Sequence, residues 1–300
     1  MSDLLPRVTS ISDYRRVYGD SQIWSPAIHE VAARHGLPGT GVRQTLGSHI
    51  VYRFGDVIVK LYFPMWFEDY RVERIALLAI SGLPAPMIYA DGEIEGWPYL
   101  VMSHVPGVPA VEVWRTLSGE DRISIAHQIG ETMRLLHQTS LPDGLPADWH
   151  SFIKERIDRA ESHHDAPEPW RNWIRQQLAE FREPEMEHVF LNCDLTEDHI
   201  LLSESGGRWT ISGIIDFGDA RIGHPYYDFI APLAHYAYGE PEVSKALLRG
   251  YGLEVTGPVM ESLTKYCLLH EFGRLRDFLD RYFVADPEAF VEALWGAGRP

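Results

Sequence analysis

Hydrophobic and polar positions follow two different periods along this chain, and the change of period divides it. Over residues 41–63, GVRQTLGSHIVYRFGDVIVKLYF, β-branched and aromatic residues form two runs separated by Phe54-Gly55-Asp56. Extended runs on either side of a Gly-Asp turn signal predict a hairpin. Before it, residues 24–36 have the spacing of a short amphipathic helix ending near Gly36. After it, Val72, Ile75, Leu78 and Ala79 return to helical spacing over 67–80. Ser81-Gly82 stops that helix, and Pro84 and Pro86 follow. Residues 97–105, WPYLVMSHV, read as a further strand. The first 105 residues therefore predict a sheet with one packed helix.

Beyond residue 105 the helical period dominates. Ser118 has the chemistry of an N-cap for a helix reaching about His137, with Ile123, Ile125, Ile129, Met133 and Leu136 along it. Further helices are predicted near 150–163, 168–182, 240–251, 257–282 and 287–295. Two short strand-like runs interrupt them, HILLSE (199–204) and WTISGIID (209–216), joined by the turn Ser205-Gly206-Gly207. Repeats, low-complexity tracts and long linkers are absent from the sequence. The expected fold class is α+β and bilobal. An N-terminal antiparallel-sheet lobe (1–104) is followed by a larger helical lobe (105–300) carrying an embedded hairpin.

Composition narrows the function classes. Hydrophobic residues make up 45% and charged residues 23%, which suits a globular chain with a core. No apolar run approaches the ~18 residues of a membrane span. The start, MSDLLPRVTSISDYRR, lacks the apolar centre of a secretory signal. Cys193 and Cys267 are the only cysteines, too few for a disulfide framework and without metal-ligand spacing, so a reducing cytoplasm is expected. A net charge of −16 argues against nucleic acid and anionic membrane as partners, since both attract a basic surface. The charge is uneven: residues 105–300 hold 32 acidic and 18 basic side chains, against 11 and 9 in residues 1–104. An acidic half suits a cationic ligand, and equally suits solubility alone.

Chemistry concentrates around the second hairpin. Asp194-Leu195-Thr196-Glu197-Asp198-His199 leads into it and Asp216-Phe217-Gly218 ends it. A short hairpin brings its ends together, so Asp194 and Asp216 are expected to face one cleft. Phosphoryl transfer needs such a pair: one carboxylate orients or deprotonates the attacking hydroxyl, the other holds Mg²⁺ against the phosphates. Upstream, Val57-Ile58-Val59-Lys60 ends an apolar strand in a lysine, and Glu73 lies on the following helix. A buried ammonium group needs a partner, and Glu73 is a natural one that would aim Lys60 at a ligand anion.

Lys60, Glu73, the Asp194 loop and Asp216-Phe217-Gly218 stand in the order of the protein-kinase-like fold. The detail resembles the aminoglycoside phosphotransferase family. The similar stretches are Leu83-Pro84-Ala85-Pro86, 100–107 (LVMSHVPG), 130–137 (GETMRLLH) and 223–228 (GHPYYD). The resemblance runs over roughly residues 40–235. It implies that Lys60 binds phosphate with Glu73 as its helix partner, and that Gly47-Ser48-His49 forms the turn covering the phosphates. It implies that Ser103 to Val105 is the hinge whose backbone binds adenine. Asp194 would be the catalytic carboxylate, Asp216 the metal ligand, and Asp228 a structural brace of the catalytic loop.

Two positions depart from the family pattern. Asn192 stands where a histidine is usual, and His199 stands where an asparagine ligates metal. A neutral imidazole can bind a metal but matches hard Mg²⁺ less well than oxygen does. His137 reads as a cap or core residue and Cys193 as a small packing residue. Trp66, Phe67, Trp97, Trp114, Trp149, Trp170 and Trp173 read as packing rather than a recognition wall. Glu197, Asp198 and Asp219 on the loops, and Glu271, Asp277 and Asp280 near the C-terminus, are candidate contacts for an ammonium-bearing acceptor, or solvated surface.

The expected function is transfer of the γ-phosphate of ATP or GTP to a hydroxyl of a small cationic antibiotic of aminoglycoside, hygromycin-like or tuberactinomycin-like type, conferring resistance. Kinases of choline, homoserine, methylthioribose, fructosamine or macrolides are the alternative acceptor classes. A non-catalytic nucleotide-binding protein is a third reading, and a two-carboxylate hydrolase leaves Lys60 and Glu73 unexplained. A monomer or homodimer is expected.

Overall fold

The computed structural model describes residues 3–161, 167–179, 181–269 and 284–296. Two helices come first, α1 (Ile11–Val17) and α2 (Ser21–Arg34). An antiparallel sheet follows, from β1 (Val42–Gln44), β2 (Ile50–Phe54), β3 (Val57–Leu61), β4 (Ile88–Ile94) and β5 (Trp97–Ser103), in the order β1-β2-β3-β5-β4. Helix α3 (Phe67–Ala79) crosses between β3 and β4. The two-residue period decides which face each side chain takes. Ile50, Tyr52, Phe54, Val59, Leu61, Tyr99 and Val101 pack with Trp24, Ile28 and Val31 of α2 on one side. Tyr62, Leu100 and Met102 turn to the other side, against Val72, Ala76 and Leu77 of α3. Lys60 lies between two residues of the first group, so the alternation sends it toward α3.

Several boundaries differ from the sequence expectation. The first long helix begins at Ser21 rather than residue 24, because the Asp20 carboxylate accepts a hydrogen bond from the Gln22 amide (2.9 Å) and Pro26 is tolerated near the start. Helix α1 was not anticipated: seven residues with Tyr14 as the buried one carry no readable period. Strand β4, YADGEI after Ile88, is an edge strand with alternate residues exposed, and its Asp, Gly and Glu read as loop. The strand predicted over 97–105 stops at Ser103.

The helical region contains β6 (Val108–Pro109), α4 (Ala110–Val113), α5 (Gly119–His137), α6 (Trp149–Glu161) and α7 (Glu168–Ala179). Short β7 (Val189–Leu191) precedes the β8 (Ile200–Ser205) and β9 (Arg208–Ile214) hairpin, and β10 (Arg221–Gly223) pairs back with β7. Then come α8 (Ile230–His235), α9 (Pro241–Tyr251), α10 (Gly257–Cys267) and α11 (Pro287–Trp295). Ser118 caps α5 as expected, accepting from the Asp121 amide at 3.0 Å. Helices α5 and α9 meet without side chains at Gly130 and Gly250: a Cβ at Gly250 would overlap the His127 carbonyl, and one at Gly130 the Leu247 carbonyl. The helix predicted over 257–282 is α10 only to Cys267, Leu268 and Leu269 form a turn, and residues 270–282 lie outside the described residues. Strands β7 and β10, three residues each, and α8, six residues, are too short for sequence period to show. No helix among the described residues is long and apolar enough to cross a membrane.

Candidate active site

A cleft of about 330 Å³ opens between the 44–49 turn, the 103–107 segment and the end of the β8–β9 hairpin. Gly47, Ser48, His49, Lys60, Glu73, Ser103, Val105, Asp198, His199 and Asp216 all line it. Residues from six separate stretches of sequence thus line one cleft. Glu271, Asp277 and Asp280 lie outside the described residues.

Lys60 is the centre of one side. Its Nζ stands 2.6 Å from Glu73 Oε2 and 3.2 Å from Asp216 Oδ1. Tyr62, two residues on and so on the same face, donates its hydroxyl to the same Glu73 oxygen at 2.6 Å. Lys60 is 6% exposed and Glu73 1%, so neither carries its charge into water. Burial pushes the Lys60 pKa down, but Asp216 and then Glu73 outweigh it and hold the ammonium charged. Burial pushes the Tyr62 hydroxyl well above its ordinary range, with Glu73 adding to it, so it remains a donor.

The other side is built on the loops around the hairpin. Cys193 (φ 70°) and Asp216 (φ 61°) are non-glycine residues in the left-handed region, a strained conformation that surrounding contacts must hold. They do so through Asp228 and Asn192. Asp228 Oδ1 accepts from the Cys193 amide at 2.7 Å, and its Oδ2 accepts from the Asn192 amide at 3.0 Å. His137 Nε2 lies 2.9 Å from Asp228 Oδ2, and its Nδ1 lies 2.9 Å from the Tyr251 hydroxyl. His137 is therefore a buried link in this brace, in keeping with the core reading. The Asn192 side chain spans the two loops: Nδ2 donates to the Asp216 carbonyl (2.9 Å) and Oδ1 accepts from the Asp194 amide (2.9 Å). Cys193 is buried beside them.

His199 sits between the two carboxylates. Its Nδ1 is 2.9 Å from the Asp194 carbonyl and 3.1 Å from Asp194 Oδ2, and its Nε2 faces Asp216 Oδ2 at 3.7 Å. Burial pushes its pKa down, but the Asp194 carboxylate bonded to it, and the charge of Asp216, push it up to about 9. Asp216 experiences the converse: burial raises it, and Lys60 followed by His199 hold it well below the usual carboxylate range. Glu197 is tied in through its carbonyl, which accepts from the Val111 amide at 2.9 Å, and Thr196 through its carbonyl to the Tyr236 hydroxyl at 2.7 Å.

The 103–105 segment is pinned to the sheet. Ser103 Oγ accepts from the Met87 amide (2.8 Å), and the His104 amide donates to the Asp56 carbonyl (2.8 Å). Sequence reasoning missed Tyr62, the bridging role of the Asn192 side chain, and Arg43 and Glu112 on the cleft wall. Tyr62 was reachable from the strand period; the other three had no local signal.

Among the described residues no three His, Cys, Asp or Glu side chains converge as a metal cage. The donor set fits a cation that takes one or two protein ligands and the rest from phosphate and water, which is the habit of Mg²⁺. Asp216, a carboxylate, carries hard oxygens of the kind that ion prefers.

The model of the phosphotransferase enzyme family matches residues 48–265. A viomycin phosphotransferase of Streptomyces vinaceus is 25% identical over 181 residues, covering 56% of this chain and 61% of that protein. A lysine-specific demethylase, JMJ21 of Arabidopsis thaliana, is 23% identical over 303 residues, covering 78% of this chain and 32% of that protein. The chain thus spans less than two thirds of either relative. Among solved structures, the GDP complex of aminoglycoside 2'-phosphotransferase-IIIa superposes with a TM-score of 0.69 at 19% identity, over 89% of this chain and 97% of that one. Aminoglycoside phosphotransferase APH(3'')-Id from Streptomyces rimosus gives 0.54 at 20% identity, over 81% and 96%. At these identities the structural likeness establishes the kinase-like fold.

Proposed function

The chain belongs to the phosphotransferase enzyme family, and from that premise we propose that it transfers the γ-phosphoryl group of ATP or GTP to a hydroxyl of a small cationic antibiotic. The observation that carries the reading is Lys60, held at once by Glu73 and by Asp216 in a cleft that Asp194 borders through His199. In this reading residues 1–104 form the nucleotide lobe and residues 105–300 the catalytic and acceptor lobe. The nucleotide lies under the Gly47-Ser48-His49 turn with its base against the backbone of Ser103 to Val105. Lys60 neutralises phosphate oxygens. Asp194 accepts the proton of the acceptor hydroxyl as that oxygen attacks the γ-phosphorus, whose bond to the β,γ-bridging oxygen breaks to release the nucleoside diphosphate. Asp216 is the residue that would hold Mg²⁺, with His199 as the second candidate ligand, and the ion would neutralise charge developing on the phosphates. Asp228 holds the Asp194 loop in place. Asp198 and Glu197, with Glu271, supply negative charge for an acceptor bearing ammonium groups. Cys193 and Cys267 are both free thiols, and the reading places the protein in the cytoplasm with its nucleotide supply, as a monomer or homodimer.

A kinase of a small metabolite such as choline is the second reading. The net charge of −16 suits a quaternary ammonium acceptor as well as it suits a cationic antibiotic. A coupled nucleotide-consumption panel separates the two. Turnover with an aminoglycoside, hygromycin or viomycin, abolished in Asp194→Ala, supports the antibiotic reading. Turnover only with choline, homoserine, methylthioribose or fructosamine replaces it, and no turnover with any acceptor despite nucleotide binding overturns the kinase reading.

A further inference from the structure

The N-terminal helices lie before the segment that matches the family model, and the first of them holds the phosphate-covering turn. Tyr14 donates its hydroxyl to the Ser48 carbonyl at 2.6 Å. Tyr18, which caps the C-terminus of α1 one turn later, donates to the Gly47 carbonyl at 2.7 Å and reaches the His49 carbonyl at 3.4 Å. Three consecutive carbonyls, those of exposed Gly47 and Ser48 and of buried His49, are thereby drawn to one side by two phenols. Both phenols are themselves held. The Tyr14 ring is 1% exposed and stacks on Phe63 with centroids 4.9 Å apart. The Tyr18 ring lies under the Arg43 guanidinium at 4.9 Å, and Arg43 also donates to the Tyr18 carbonyl at 3.3 Å.

A trans peptide is planar, with its N–H antiparallel to its C=O. Pulling the Gly47 and Ser48 carbonyls toward α1 therefore turns the Ser48 and His49 amides the opposite way. Gly47 has φ 89°, a left-handed conformation that lets the turn reverse there. Successive amides presented from such a turn make an anion-binding concavity. Left unheld, the turn residues lose conformational entropy when they are ordered, a cost that ligand binding would have to offset.

We propose that Tyr14 and Tyr18 are positioning residues that pre-organise the Gly47–His49 amides for the polyphosphate of a nucleoside triphosphate, so that the N-terminal helix sets nucleotide affinity. The inference rests on the nucleotide reading of the cleft. The test uses the full chain with Tyr14→Phe, Tyr18→Phe and the double variant, which keep the packed rings and remove only the hydroxyls. Three quantities are read: Kd for ATP and GTP by calorimetry, the split between nucleotide KM and kcat, and amide hydrogen exchange at Gly47–His49. The double variant is expected to raise Kd and KM roughly tenfold, consistent with the loss of about one hydrogen bond's net stabilisation, with kcat at saturating nucleotide within twofold and exchange in the turn accelerated. Each single variant falls between. Unchanged Kd together with unchanged exchange overturns the clamp, as does a loss confined to kcat. If the parent chain binds neither nucleotide, the reading of the cleft fails; accelerated exchange in the double variant then still supports the holding of the turn, and unchanged exchange still overturns it.

Discussion

The two sides of the cleft are held by different physics. On the sheet side, Lys60 is aimed by charge: Glu73 and Asp216 converge on it from a helix and a loop. On the loop side, Asp194 is aimed largely by hydrogen bonds to main-chain groups, through Asp228, Asn192 and His137. Buried ion pairs between rigid elements fix a charge at a point and need little loop geometry. Two loops bent through the left-handed residues Cys193 and Asp216 need their amides and carbonyls satisfied one by one. The sheet side therefore presents a fixed charge, and the loop side presents a carboxylate whose position depends on a network.

The comparison can be broken most sharply at Asp194. Asp194→Asn is expected to lower turnover by about a hundred- to ten-thousand-fold while nucleotide affinity stays at the parent value, with stability falling only by its share of the His199 pairing; lost nucleotide affinity would mean that Asp194 is part of the scaffold. Next is Asp228→Ala, which strips partners from two buried amides and from His137 at once. A loss of about 3 kcal/mol or more in denaturant unfolding is expected, accompanied by loss of turnover, and a parent-like midpoint would remove Asp228 from the brace. On the sheet side, Lys60→Met leaves Glu73 and Asp216 without the ammonium group between them. Adding Glu73→Gln should recover part of the lost stability, with a coupling of about 1–3 kcal/mol in the double-mutant cycle; strict additivity would deny the pairing. The smallest effect is a pH slope. The His199 pKa, about 9 in the fold, lies above its ordinary 6.5. Its contribution to stability is therefore full below about pH 6.5 and is lost as pH rises through about 9. Without added metal or nucleotide, the parent Tm should fall more steeply than that of His199→Asn between pH 7 and 9.5, and parallel curves would contradict the ion pairing.

Legibility in the sequence follows the same division. Lys60 and Glu73 could be paired from sequence because a strand period and a helix period each point one side chain at a shared interface. The hairpin of 200–214 could be read from its two runs and its Gly-Gly turn, so Asp194 and Asp216 could be expected to converge. The brace under Asp194 could not be read in the same way. His137, Asp228 and Tyr251 belong to three separate elements, and hydrogen bonds between them leave no periodic trace. Helix α1 and edge strand β4 were missed because one is too short and the other too polar to show a period.

Local pattern alone thus determined the α+β architecture, the order of the charged residues along it, and the faces of strand and helix on which they stand. These follow from backbone geometry that repeats every two or every 3.6 residues. Tertiary structure decided which atom meets which. It turned His199 Nδ1 to the Asp194 carbonyl, stretched Asn192 between two loops, and brought Tyr14 onto Ser48 across 34 residues. Such contacts depend on loop dihedrals and on how separate elements dock, and neither is written in the spacing of residues along the chain.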